Sequence, residues 1–304
     1  ITLRLSDRDF KAADHDGYGM NWPIGHDDLA PHYSALEQLL GVHGQRNGLP
    51  QLPDGWCTTA LPSTAEEQQF SEAVRHHLDY PWIPSRGFEL PAVSAGSAWP
   101  RSSSLGSTLK QALATGRVEL CSGHMVERLL MAPSRDRAAG VIAVKLSNGT
   151  RSRLEAPLVV LCASTIQSLR ILLQSEQQQT ADGFSDPSGR LGTGLMDHVS
   201  TCRFFAMPAA SDAVNPAPLS GAGSFFLPFG SCLNNTNPVD FHRGYGLWGG
   251  INRFDPPAAL KRQRDCRLGF LIGHGEVLSR DENQVSLSHH TDAWGVPIPH
   301  IDCH

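Results

Sequence analysis

The 304-residue chain has no CxxC pair, no cluster of Lys and Arg, no apolar run of bilayer length and no internal repeat. Each absence removes a class of protein. The seven cysteines, Cys57, Cys121, Cys162, Cys202, Cys232, Cys266 and Cys303, are odd in number and scattered, so no disulfide framework is expected. A reduced protein, and with it a cytoplasmic setting, is favoured. A net charge of -5 without a basic patch argues against a nucleic-acid partner. A membrane-spanning helix needs roughly 20 apolar residues, and none is present. His289–His290 and His300-x-Asp302-Cys303-His304 lack the spacing of a closed zinc site, so no metal is expected. The serine-rich stretch Arg101–Ser104 lacks the GxSxG of a nucleophile elbow and reads as loop.

What is present is an ordinary globular composition, 40% hydrophobic and 18% charged, with 29 Gly and 21 Pro dispersed along the chain. Gly41 closes a helix that Asp27 or Asp28 caps, with Leu29, Tyr33, Leu36 and Leu40 on one face. Ser63 and Thr64, each three residues before a Glu, have capping-box spacing and open a second helix. From Leu105 onward a short helix is followed by VELC, HMVERLLM and AGVIAVKL, and Asn148–Gly149 marks a hairpin turn before the strand near Arg151–Glu155. LVVLC (Leu158–Cys162) is continuously apolar, as a strand buried on both faces should be, and a Leu-rich helix follows it. Cys121, Cys162 and Cys202 sit among such apolar residues and read as small hydrophobes. Beyond Ser200, TCRFFAM, SFFLPF, GYGLWGGI, RLGFLIGH and QVSLS suggest a mainly antiparallel sheet.

The expected fold class is therefore α/β (α+β): part of a dinucleotide-binding domain with a β-meander, plus an antiparallel domain. Three consecutive spans are expected: 1–95 as a connecting and substrate-region segment with helices, 96–195 as part of the dinucleotide-binding domain, and 196–304 as an incomplete substrate-binding sheet. The chain opens on Ile1 without a signal or transit segment and stops inside the strand-like VPIPHIDCH, so a fragment is expected.

Four stretches, in order, resemble the glucose-methanol-choline (GMC) oxidoreductases. They are DGYGMNWPIGHDDLAPHYSALEQLLGVHG, HMVERLL with AAGVIAV, LVVLCASTIQSLRILLQS, and LGTGLMDHV. GEVLSRDENQVSLSHHTDAWGVPIPHID is a weaker echo. The resemblance implies a Rossmann-like FAD-binding domain and oxidation of an alcohol, sugar or polyol by hydride transfer to FAD. It also implies that the Val126 backbone meets adenine, and that Ala163 and Ser164 lie beside the cofactor, Ser164 standing where the family has glycine. Plain sheet core for Val126 and helix N-cap for Ser164 remain open as readings. Asp197–His198 invites an acid/base reading, since a carboxylate beside a histidine can orient and charge it, but adjacent residues rarely point the same way and a structural role at a domain junction is favoured. There are departures. No GxGxxG occurs; Gly192-Thr-Gly194 and Gly221-Ala-Gly223 lack the third glycine. The family's catalytic His pair is expected beyond His304, so no catalytic residue carries over. A truncated relative that binds a ligand without redox chemistry, or one chain of a split enzyme with the missing segments supplied in trans, are the alternatives.

Overall fold

The computed structural model describes residues 2–88, 103–176, 183–210, 225–229, 244–261 and 266–304. In chain order the elements are α1 (Asp7–Phe10), α2 (Ala12–Asp16), α3 (His26–Leu40), β1 (Val42–His43), α4 (Ala65–Leu78), β2 (Ile83–Pro84), β3 (Gly87–Phe88) and α5 (Thr108–Ala114). They continue with β4 (His124–Met131), β5 (Ala138–Lys145), β6 (Arg151–Glu155), α6 (Thr165–Gln174), β7 (His198–Pro208) and β8 (Phe225–Leu227). The last four are β9 (Tyr245–Ile251), β10 (Cys266–Glu276), β11 (Gln284–Thr291) and β12 (Pro297–Asp302).

These elements form two compact units that interleave along the chain. One contains 1–118 and 198–276, the other 119–197 and 277–304. The expected division was three consecutive spans; here the chain passes between units at 118/119, 197/198 and 276/277.

In the first unit, helix ends follow local chemistry. Gly41 ends α3 in the left-handed conformation at φ 64°. Its start differs from expectation, since Gly25 is the N-cap and the Asp28 carboxylate accepts from the Gly25 N–H at 2.8 Å. At α4 the pair used is Thr64–Glu67: Glu67 N–H donates to the Thr64 hydroxyl at 3.1 Å, and Thr64 N–H donates to Glu67 at 2.9 Å. Glu67 also accepts from the Arg253 guanidinium at 2.7 and 3.1 Å, with side chains 1% and 7% exposed. A carboxylate buried that deeply would carry a large desolvation penalty without the guanidinium.

The helix α4 covers one face of a five-stranded antiparallel sheet, in order β2-β8-β9-β10-β7. Val74 of α4 packs with Phe225, Leu227 and Ile251, flanked by Phe70, Phe205 and Leu271. The opposite face is packed at the β2–β8 end, where Leu52, Ile83 and Phe226 form a buried cluster. TCRFFAM, GYGLWGGI and RLGFLIGH are strands of this sheet, and the FFL of SFFLPF is its β8.

The second unit contains the expected meander, an antiparallel sheet in order β4-β5-β6. Between β5 and β6 the chain reverses with Gly149 at φ 72°. The helix α6 packs on β4 and on the β11–β12 hairpin. QVSLS is thus half of a two-stranded sheet in this unit, not a fifth member of the antiparallel array in the other.

Two expectations are overturned. LVVLC forms no strand pairing, and Leu158 and Val160 are 76% and 72% exposed. VELC is likewise unpaired, with Val118 and Leu120 exposed. A strand exists only through partners for its backbone groups, and among the described residues parallel pairing is confined to two isolated bridges, His43 with Thr58 and Glu176 with Phe184, neither of which involves these segments. For the same reason Cys121 and Cys162 are exposed thiols, as is Cys202 on the open part of the larger sheet.

Candidate functional site

The turn that leads from LVVLC into α6 has an unusual backbone. Ser164 sits at φ 66°, ψ 165°. That region is essentially reserved for glycine and costs a side-chain-bearing residue about 1–3 kcal/mol. The residue is a serine, yet the chain takes the path that a glycine would take. Ser164 is the N-cap of α6, and its carbonyl accepts from Ser168 N–H at 2.9 Å, but its side chain makes no capping hydrogen bond. The hydroxyl therefore does not explain the residue as a cap. Ala163 and Ser164 are both exposed and both small, so the turn is open to close approach by a ligand.

Below that turn α6 is held firmly. The Ser175 hydroxyl accepts from Leu129 N–H of β4 at 2.8 Å. Arg170 donates to the Pro297 carbonyl at 2.7 Å, the Val296 carbonyl at 3.1 Å and the Asp292 carboxylate at 2.7 Å, and its Nη1 lies 3.8 Å from Met125 Sδ. Burial pushes the Asp292 carboxyl up, but the hydrogen bond from Arg170, the Val296 and Trp294 N–H groups and the Arg170 charge outweigh it and hold the pKa below the ordinary value. With Ser175 against Leu129 and Arg170 against Met125, the N-terminal half of α6 runs toward the Met125–Val126 end of β4.

Val126 is half-buried on β4, the edge strand of its sheet, beside a register shift between Val126 and Arg128. The residue inside the shift, Glu127, accepts two hydrogen bonds from Arg151 at 2.9 Å. Bulges of this kind re-aim backbone next to sites. Ala163 and Ser164 are thus brought together at one turn, while Val126 stands on the strand against which the same helix packs. All three lie in one unit. An exposed glycine-type turn with small side chains, and a strand whose backbone is locally redirected, fit the approach of a dinucleotide.

A second group of residues is not visible as a motif. In the five-stranded sheet, register pairs Ser200 with His274, Cys202 with Ile272 and Phe204 with Phe270. Directly paired residues share a face, and this is the face opposite α4. The Ser200 hydroxyl lies 2.7 Å from His274 Nδ1. Rings follow one another along that face: Phe204–Phe254 at 6.0 Å, Phe254–Phe270 at 4.9 Å, Phe270–Trp248 at 5.4 Å, Trp248–His274 at 6.2 Å and His274–His198 at 5.7 Å. Asp197 and His198 fall on either side of a unit boundary, and the Asp197 carbonyl accepts from Val277 N–H at 3.3 Å. The available signal was the period-2 placement of His198, Ser200 and Cys202, but the partners come from strands far along the chain.

The sequence profile of the GMC oxidoreductases matches residues 19–200. The chain is 26% identical over 308 residues to paromamine 6'-oxidase of Streptomyces fradiae, covering 95% of this chain and 54% of that protein. It is 26% identical over 217 residues to 2-methyl-1,2-propanediol dehydrogenase of Mycolicibacterium austroafricanum, covering 62% and 37%. With the fructose dehydrogenase large subunit of Gluconobacter japonicus it shares 23% identity over 333 residues, covering 98% and 59%. The chain spans about half the length of the first of these relatives, paromamine 6'-oxidase. Since the profile covers more than half of its residues, the chain belongs to the GMC oxidoreductase family, flavoproteins whose N-terminal domain is a Rossmann-like fold for FAD.

Proposed function

We propose that the protein carrying this chain is an FAD-dependent oxidoreductase acting on an alcohol, sugar or polyol. The observation that carries this reading is the glycine-type backbone at Ser164, inside the family match and at the turn where the family has glycine. In this reading Ala163 and Ser164 line the cofactor and the Val126 backbone meets adenine. The unit of 119–197 and 277–304 is part of the FAD domain, and the sheet of the other unit serves the substrate. When bound, FAD supplies the hydride acceptor. The chain's own residues bind and orient; the base that takes the hydroxyl proton is not assigned to any of them.

The relatives support the substrate class by their names, which are those of an oxidase of paromamine and dehydrogenases of 2-methyl-1,2-propanediol and fructose. The exposed LVVLC and VELC segments support a flavin domain whose remaining strands come from elsewhere, in the same polypeptide or in trans. The test is to purify the full-length gene product and record its absorbance before and after adding alcohols and sugars under anaerobic conditions. Stoichiometric flavin that bleaches with at least one of them is expected. A folded, full-length protein that carries no flavin, or flavin that no alcohol reduces, would refute the reading.

A further inference from the structure

We propose that Arg151 is a positioning residue for the adenine end of a bound dinucleotide: its guanidinium sets the bulge of β4 through Glu127 and ties that bulge to α6 through the β11–β12 hairpin. This rests on the reading that FAD binds with its adenine against the Val126 backbone, and it names what holds that backbone in place.

The need for such a residue follows from the register. Val126 pairs with Ala143 and Arg128 with Ile142, so Glu127 is an extra residue that the β4–β5 ladder does not accommodate. An extra residue bends its strand and re-aims the backbone beside it. β4 is also an edge strand, so among the described residues no second ladder corrects that bend. Glu127 is held instead by its side chain. Its Oε2 accepts from Arg151 Nε and its Oε1 from Arg151 Nη2, each at 2.9 Å, a fork that fixes a carboxylate in both position and orientation. Arg151 is the first residue of β6, on the far side of β5, so the fork clasps the bulge across the width of the meander.

The same guanidinium reaches the hairpin. Arg151 Nη2 donates to the Trp294 carbonyl at 3.2 Å, and the Trp294 indole N–H donates to the Leu146 carbonyl, just past the end of β5, at 3.0 Å. The Trp294 backbone N–H donates in turn to Asp292 Oδ1 at 2.9 Å, and Asp292 Oδ2 accepts from Arg170 of α6 at 2.7 Å. Charge therefore alternates from Glu127 through Arg151 and Asp292 to Arg170. The hydrogen bond to Glu127, with the charges of Glu127 and Asp292, raises the Arg151 pKa against desolvation. One end of this chain is the strand that carries Val126, and the other is the helix that starts after Ser164.

Stability is a poor explanation for the pair. The Arg151 side chain is 45% exposed, and ion pairs at that exposure contribute little to folding. What a planar fork adds there is geometry. A lysine would keep the charge and lose the two-point hold.

The experiment uses the full-length protein in flavin-free form, with ADP as the probe for the adenine end and FMN for the flavin end. Calorimetric titration gives Kd for each probe, and thermal denaturation gives Tm. Arg151→Ala is expected to raise Kd for ADP about tenfold while Kd for FMN and Tm stay near wild type. Arg151→Lys is expected to recover only part of the ADP affinity. If Arg151→Ala does not fold, Glu127→Gln decides: it keeps the side chain's shape, removes its charge and should raise Kd for ADP several-fold. Folded variants with unchanged ADP affinity overturn the inference. So does a lower Tm with ADP and FMN weakened alike, which is the pattern of a merely structural pair. A wild type that binds neither probe overturns it as well. An ADP-selective loss in a protein whose bound flavin no alcohol reduces upholds the role of Arg151 and counts against the oxidoreductase reading alone.

Discussion

Ser164 carries a cost that its neighbours do not. With φ 66° and ψ 165°, its Cβ is crowded by its own backbone whatever surrounds it. Replacing it with glycine removes the clash, so Ser164→Gly should stabilise the fold by about 1–3 kcal/mol. Ser164→Ala keeps the Cβ and should stay near wild type. Urea denaturation of the three proteins separates these outcomes; equal midpoints for serine and glycine would mean that the backbone is not strained. Asp292 yields a different test. Its folded pKa lies below the unfolded value of about 4, so the stability it contributes is fully present above that value and is lost as pH falls through the folded one. Asp292→Asn, which leaves Arg170 without its carboxylate, should lower the urea midpoint clearly at neutral pH. The gap from wild type should narrow as pH falls below about 4. A gap that is the same at both pH values would remove Asp292's charge from the account.

Among the strands, two glycines of the larger sheet give up their volume to aromatic partners. A Cβ on Gly269 would stand 2.2 Å from the ring of Phe205, its cross-strand partner, and one on Gly249 would stand 2.8 Å from the ring of Phe225. Both rings contact Phe70 of α4, at 5.5 and 5.2 Å, so the glycines make room for part of the surface on which α4 docks. Gly269→Val should therefore push Phe205 off Phe70 and cost about 1–3 kcal/mol, read as a lower urea midpoint. A neutral substitution would show that α4 docks without that ring. Elements of this kind differ in how far sequence reveals them. The Thr64–Glu67 cap and Gly41 are legible because their chemistry is complete within a few residues. LVVLC reads as a buried strand because composition reports apolarity, whereas burial depends on a partner surface that the segment itself does not contain. Ser164 and Val126 could be singled out by motif, but the strain at one and the register shift beside the other are properties of backbone geometry. The row from Phe270 to His198 is illegible for a further reason, since register joins strands separated by long stretches of chain.

For the whole molecule, the exposed apolar side chains of Leu120, Leu158 and Val160 set an expectation about the 304-residue polypeptide on its own. Expressed alone, it should be colourless, because no glycine-rich turn is present to hold the FAD pyrophosphate. It should also bind the dye ANS strongly through those uncovered side chains. Adding the remaining flavin-domain segments should restore yellow colour and suppress the ANS signal together. A yellow polypeptide with little ANS fluorescence would show that the flavin site and its covering surface are both already present.

The interleaving of the two units governs how the chain must be assembled as it leaves the ribosome. The helix α4 emerges early, but the strand surface it covers is made from β8, β9 and β10, and β7, which carries Phe205, follows only after residue 197. In the same way α6 must wait for Asp292 and Val296 before Arg170 has its partners. Neither unit can finish while the chain is growing through the other, so the first stands half-built until β10 has emerged and the second until β11 and β12 have. Such a chain folds late rather than piece by piece, and during that interval it is a natural client for chaperones.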